Sequence, residues 1–314
     1  MTDYDNPWKE TLDVFFADSL ELLFPHIHAD IDWARGYEFL DKELQKVDPS
    51  AAYGKGIVDK LVKVWLKSGQ EKWLLLHIEF QAQETGDFPL RMFVYNATIF
   101  LLYNQEVVSL AVLGDDRLNW RPSVYRSERW GCRKEFEFPI VKLLDWLPRT
   151  DELRTSRNPV AHVVLAHLQA LETTREMADR RVRKFELVRN LIKLGLEATT
   201  VRKLFRLIDG MMLLPRELET LFFRDVVQIE EEKRMPLLSF IEIWAEERGE
   251  KKGRLEGLQI GIESILKGKF GDEGSSLMGE VRTIDSSEKL ESFLNSLWKL
   301  STLDEARDLI HGLK

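Results

Sequence analysis

Hydrophobic positions set the first division of the chain. Leu12, Phe15, Phe16, Leu20 and Leu23 recur at helical spacing, which predicts a helix stopped by Pro25. Tyr37, Leu40 and Leu44 predict a second helix over residues 33–47, closed by Asp48-Pro49. The period then changes. Residues 56–66 (GIVDKLVKVWL) and 72–81 (KWLLLHIEFQ) are two apolar runs around a short Gly-containing segment, the pattern of a β-hairpin. Residues 91–103 (RMFVYNATIFLLY) follow Pro89 as a helix. Residues 107–113 (VVSLAVL) are almost wholly apolar, as a strand buried on both faces is. Residues 136–144 suggest a further strand. Strands and helices in this order indicate an α/β or α+β core over residues 1–150.

From Pro159 onward only helical periodicity is present: residues 162–171, a basic stretch at 175–196, then 201–214, 216–228 and a long charged helix at 239–269. Residues 268–276 (GKFGDEGSS) read as a linker. Two short amphipathic helices end the chain, around Leu290, Phe293, Leu297 and around Leu303, Ala306, Ile310. This gives an α/β core at 1–150, a helical region at 151–248 and a C-terminal module at 249–314. Gly249, Gly253, Gly257 and Gly261 form a four-residue ladder. Each glycine costs about 1 kcal/mol against alanine in a helix interior. A stripe of this kind lets a second helix approach closely, so self-association or docking on the protein's own body is one expectation and an irregular linker the other.

Composition narrows the class. With 314 residues, 44% hydrophobic and 31% charged, the chain has material for a buried core. Cys132 is the single cysteine, which excludes an internal disulfide or a Cys-rich zinc site and suits a reducing cytoplasm. The charged N-terminal stretch is unlike a signal peptide, and no apolar run is long enough to span a bilayer. A net charge of −8 argues against a general basic coat but leaves room for a local patch. No Gly-rich phosphate loop and no Gly-x-Ser-x-Gly elbow is present, which leaves nucleotide-driven work and triad hydrolysis without support.

The hairpin carries the candidate chemistry. If its turn is centred on Gly69, Asp59 lies opposite Glu79. Alternation then puts Val58, Val62, Val64 and Leu66 with Leu74, Leu76, Ile78 and Phe80 on a core face. Asp59, Lys63, His77, Glu79 and Gln81 fall on the other. Opposed like charges are unfavourable unless compensated, and a divalent cation compensates paired carboxylates. Bound there, it would sharpen a water nucleophile and neutralise phosphate charge. An ordinary hairpin with solvated acids bonded to Lys60 or Lys63 accounts for the same pattern.

An acid, a hairpin, Glu-x-Gln at the end of an apolar strand and a helix bearing Arg and Tyr form a layout that resembles the PD-(D/E)XK phosphodiesterase core. More closely, the chain resembles the bacterial recombination-promoting nuclease and transposase family. The resemblance rests on DNPWKETLDVFF, YEFLDKELQ, GKGIVDKLVKVW, LLHIEFQAQ, FPLRMFVYN, VVSLAVLGDD, FPIVKLLDW and NPVAHVVLAHL. It implies a mixed sheet flanked by helices, followed by an all-helical C-terminal region, and Mg²⁺- or Mn²⁺-dependent cleavage of DNA. Asp59 and Glu79 would ligate the metal, with the carbonyl of Phe80 as third ligand. Gln81 stands where the wider superfamily carries lysine; an amide can orient water but cannot supply charge. Arg91 and Tyr95, at i and i+4 of the next helix, are candidate supporting residues, with surface pairing and helix packing as their alternative. Glu43 is a further acid for which a solvated helix face is the simpler account.

Other clusters carry candidate chemistry of their own. His26 and His28 with Asp30 and Asp32 look like metal ligands, yet nothing completes a tetrahedral set and a helix-ending loop suffices. His162 and His167 do not share a helix face and read as packing residues. Arg117, Arg121, Arg126, Arg129, Arg133 and Lys134, interleaved with Trp120, Tyr125 and Trp130, are the candidate DNA-binding cluster. Arg175, Arg180, Arg181, Arg183, Lys184, Arg189 and Lys193 form a second one, for which a surface paired with Glu172, Glu176, Asp179 and Glu186 is at least as good an account. The expectation is therefore a DNA endonuclease. A binding module with a catalytically weak core, and a nuclease for RNA, stand beside it.

Overall fold

The computed structural model describes residues 5–40, 60–67, 73–233, 238–284, 286–297, 300 and 302–313, and the chain divides into two units, Met1–Ile229 and Glu230–Lys314. Three short helices open the first: α1 (Asp5–Val14), α2 (Phe16–Leu23) and α3 (Pro25–Asp30). The single helix expected over this stretch is broken at Phe15, whose φ and ψ of −130° and 44° leave the helical region. α2 ends at Leu23, with Phe24 at φ −134° and ψ 61° ahead of Pro25 as expected, and Pro25 itself starts α3, at a position where a missing N–H costs nothing.

The helix expected over residues 33–47 is corrected in its described part. A 3-10 turn, Trp33–Arg35, ends at Gly36 with φ 77°, and Tyr37–Phe39 is an edge strand, β1. Tyr37 and Phe39 alternate along the strand, and both rings pack on Phe16, with centroids 4.8 and 5.8 Å away. Tertiary contact with α2 outweighs the local helical spacing. Residues 41–59, including Glu43, Leu44, Val58 and Asp59, lie outside the described residues.

β2 (Lys60–Trp65) and β3 (Trp73–Gln81) are antiparallel, with Lys60 opposite Ile78, Val62 opposite Leu76 and Trp65 opposite Trp73. This pairing is the register the sequence pattern predicts for β2 and β3. α4 (Phe88–Tyr103) then leads to β4 (Val107–Leu113), which runs parallel to β3. A separate hairpin, β5 (Val124–Arg129) and β6 (Cys132–Glu137), precedes β7 (Ile140–Lys142), which joins β4 in parallel. The strand expected over 136–144 is thus split. Pro139 has no N–H to continue a ladder, and its carbonyl accepts from Ala111 N at 3.0 Å to begin the new pairing. A 3-10 stretch, Leu143–Arg149, follows.

The result is a mixed five-stranded sheet in the order β1-β2-β3-β4-β7 with helices on both faces. Val62, Val64, Leu76, Ile78, Phe80, Leu110 and Val112 share a core with Trp8, Leu12, Phe16 and Leu20, and with Val160 and Val164 of α6 (Pro159–Glu172). On the opposite face α4 covers the sheet: Tyr95 and Ile99 on Leu61 and Leu75, Phe88 and Met92 on Ala111 and Leu113. β4 is buried from both sides, as its continuous apolar run requires. α5 (Thr150–Thr155), α7 (Met177–Lys193), α8 (Ala198–Met211) and α9 (Arg216–Lys233) complete the series. Leu187, Leu191, Leu204 and Ile208 belong to the same core as the sheet.

In the second unit α10 (Leu238–Ser275), α11 (Met278–Val281), α12 (Ser287–Leu297) and α13 (Leu303–Leu313) enclose Ile262, Leu266, Phe293, Leu297 and Ile310. The stretch expected as a linker at 268–276 is helical up to Ser275, interrupted at Gly271 with φ 65° and ψ −149°. The glycine ladder lies inside α10. Gly261 faces Leu294, whereas a methyl on Gly253 or Gly257 would meet nothing within 4 Å. Alanine at either of these two sites is expected to raise stability by about 0.5–1 kcal/mol, seen as a higher melting midpoint. Loss of a larger species in sedimentation would instead mark the stripe as a self-association surface. No described helix is long and apolar enough to cross a membrane.

Candidate functional site

Alternation along β3 turns His77, Glu79 and Gln81 toward α4, and Ile78 and Phe80 toward the main core. Glu79 is not a solvated acid; it is only 4% exposed. Its Oε1 lies 3.1 Å from Nε2 of His77, a fully buried residue, and Nδ1 of His77 lies 3.0 Å from the Ser109 hydroxyl on β4. Asn96 of α4 donates through Nδ2 to that hydroxyl and to the carbonyl of Val107, each at 3.0 Å. A Glu79 carboxylate only accepts, which assigns Nε2–H of His77 as its donor; in that tautomer Nδ1 accepts from the Ser109 hydroxyl, which in turn accepts from Asn96. Donation runs Asn96, Ser109, His77, Glu79. A buried relay of this kind fixes one carboxylate rotamer. Lys60, on the alternate side of β2, lies 2.5 Å from Asp13 of α1 and over the ring of Phe39.

The two supporting candidates both reach this strand face. Arg91 donates from Nη2 to Oε1 of Gln81 at 2.5 Å, and Gln81 donates onward to the carbonyl of Gln83 at 2.6 Å. Tyr95, 3% exposed, sets its ring edge-on to His77 at 5.6 Å. The helical step of four residues thus matches the four-residue step from Gln81 back to His77. Behind the strand, Phe80 stacks on Trp8 at 4.9 Å and meets the edge of His167 at 5.8 Å. Gly114 closes against both; a side chain there would overlap the Phe80 ring. Its N–H donates to the carbonyl of Gln81 at 2.9 Å.

His167 is a packing residue with both nitrogens engaged. Nε2 donates to the carbonyl of Gly114 at 2.7 Å, and Nδ1 accepts from the Trp8 indole at 3.4 Å. That arrangement requires the neutral ring. Burial pushes its pKa down to about 4, offset in part by the Gly114 carbonyl. Burial likewise lowers His162, which bonds to the carbonyl of Ser156. A depressed folded pKa means that the unfolded chain takes up protons first. Stability is then fully present above about pH 6.5 and falls as pH drops toward 4. The expected loss from His167 approaches about 3 kcal/mol. Chemical denaturation between pH 7 and 4 measures it, and His167→Gln should flatten the profile.

The carboxyl ends of β3, β4 and β7 carry a second polar feature that the sequence reading assigned no role. Lys142 and Asp115 form an ion pair, 1% and 2% exposed. Oδ1 of Asp115 also accepts from the backbone of Arg117 at 2.8 Å, and Lys142 sits 5.7 Å from the Trp120 ring. Ser109 and Asn96 were overlooked in the same way. Each is a polar residue inside an otherwise apolar run, and that is the signal that marks them.

The first basic cluster is largely spent on carboxylates. Arg121 pairs with Asp145, Arg126 and Arg133 with Glu135, and Arg117 with Asp116 at 3.7 Å. Trp120 and Tyr125 pack on Phe88 and Phe93. Trp130, by contrast, is 97% exposed. In the second cluster Arg180 and Lys184 are buried, and Arg181 and Arg183 pair with Asp225, Glu172 and Asp179, in keeping with the paired-surface account. His26 and His28 lie in α3 rather than in a loop, where adjacent-but-one residues diverge, and His28 packs against Trp33.

Glu79 offers hard oxygen donors of the kind Mg²⁺ takes. Among the described residues no three His, Cys, Asp or Glu side chains are grouped to hold a metal ion, so the expected donor set needs Asp59, which lies outside them. No protein-family profile, curated protein or solved structure matches the chain.

Proposed function

We propose that the chain is a Mg²⁺- or Mn²⁺-dependent endodeoxyribonuclease with a PD-(D/E)XK-like core, acting in the cytoplasm in recombination or transposition of DNA. The observation that carries this reading is the pairing, on one face at the end of β3, of a buried and oriented Glu79 with the Gln81–Arg91 contact. The mixed sheet flanked by helices supports it as well. Asp59, Glu79 and the carbonyl of Phe80 would hold the metal, which when bound neutralises phosphate charge and activates water. His77 holds the Glu79 carboxylate in place, from which it would ligate the metal. Gln81 orients the attacking water, and Arg91 brings to Gln81 the positive charge that lysine carries elsewhere in the superfamily. Arg91 is half-buried, where such a charge is less screened than at the surface.

Purified protein incubated with supercoiled plasmid tests this reading. Nicking that needs Mg²⁺ or Mn²⁺, stops in EDTA and disappears in both Asp59→Ala and Glu79→Ala is the expected result. Cleavage surviving both substitutions removes the assigned site. Salt-sensitive binding without cleavage would make the protein a DNA-binding module on the same fold, and preference for an RNA substrate would change the sugar but not the site.

A further inference from the structure

The β5–β6 hairpin places its charges unequally on its two faces. Register pairs Arg126 with Glu135, Glu128 with Arg133 and Val124 with Glu137. That face is a ladder of alternating sign, with Arg126 and Arg133 both held by Glu135. The other face begins with Tyr125 and Phe136, packed on Phe93 at 5.1 and 5.8 Å, and continues outward through Ser127 and Lys134 to Arg129 and Cys132. Of the six cations in the cluster, Arg129 and Lys134 have no carboxylate partner among the described residues, and both lie on this face. The hairpin is thus rooted on α4 by aromatic rings and presents its uncompensated positive charge toward the tip.

At the tip stands Trp130. Its φ is 53° and that of Gly131 is 81°, the two positive values of a tight hairpin turn that normally takes Asn-Gly. A bulky residue in that conformation is strained. Its ring is also almost wholly exposed, giving up the burial that a tryptophan ordinarily gains. The Arg129 guanidinium sits 5.9 Å from the ring. A strained, solvent-facing indole beside unpaired cations has the composition of a stacking platform for nucleic-acid bases.

We propose that the β5–β6 hairpin is a DNA-engaging arm whose Trp130 stacks on an unpaired base, with Arg129 and Lys134 holding the flanking phosphates. The proposal takes its partner class from the nuclease reading but does not need cleavage. A single-stranded oligonucleotide carrying 2-aminopurine, titrated with full-length protein in EDTA, reports stacking by quenching and affinity by anisotropy. Trp130→Asn is the informative variant, because asparagine suits the left-handed turn and removes only the ring. It should lose the quenching and weaken binding about 10- to 100-fold. Trp130→Phe should retain most of both. Lys134→Ala should lower the salt dependence by about one released counterion. Unchanged affinity and quenching in Trp130→Asn would overturn the proposal. So would wild-type protein that fails to bind the oligonucleotide, even with metal-dependent nicking intact; the nuclease reading would then survive alone. Trp130-dependent binding without nicking gives the reverse outcome and leaves the arm standing.

Discussion

On the proposed nuclease function, Arg91→Ala is expected to slow metal-dependent cleavage by about 10²–10³-fold, a loss of about 2.7–4 kcal/mol of transition-state stabilisation. The reason lies in what stands at position 81. A lysine there would put an ammonium beside the reacting phosphate, whereas Gln81 supplies an amide dipole and no charge. Arg91 contacts that amide directly, 2.5 Å from Nη2 to Oε1, so in the proposed site the cation would act through or beside Gln81. Arg91→Lys keeps the charge but loses the planar fork, and its rate should fall between wild type and Arg91→Ala. Gln81→Lys in the Arg91→Ala background should recover part of the lost rate by restoring charge at the original place. Plasmid nicking at saturating Mg²⁺ measures all three, with circular dichroism to show that the fold persists. Wild-type rates in Arg91→Ala would remove Arg91 from the site; recovery in the double variant is an outcome that packing alone does not produce.

The hairpin register was legible because two period-two apolar runs flank one turn, and a slip by one residue would have buried His77 and Glu79 in the main core. β4 was legible from its unbroken apolar run. β1 was not: Tyr37 and Phe39 are strand residues because Phe16 receives both rings, a contact no local pattern announces. Nor was Phe15 readable as a break, since it keeps its place in the apolar spacing. At the candidate site, helix arithmetic brought Arg91 and Tyr95 to one face, but only the sheet shows that this face meets Gln81 and His77. The relay through Ser109 and Asn96 depends on β4 lying parallel to β3, with Ser109 beside His77. That is a pairing across 32 residues, and alternation within one hairpin carries no trace of it.

The other large effect concerns stability and the same end of the sheet. Lys142→Ala is expected to destabilise the first unit by about 3–5 kcal/mol, because it strands the Asp115 carboxylate, 2% exposed, without its cation. Asp115 also anchors the backbone at Arg117, and its neighbour Gly114 is bonded to Gln81 and His167. Loss of the pair would therefore loosen the loop that backs the end of β3, and activity should fall with stability. Replacing both partners separates the two contributions. In Asp115→Leu with Lys142→Met no charge is left buried, so most of the single-variant loss should be regained. Lys142→Ala would retain its stability only if water entered to solvate Asp115. Urea unfolding of wild type, Asp115→Leu, Lys142→Met and the double variant closes the cycle and gives the coupling energy directly. A coupling near zero would show that the two charges do not depend on one another, despite their burial side by side.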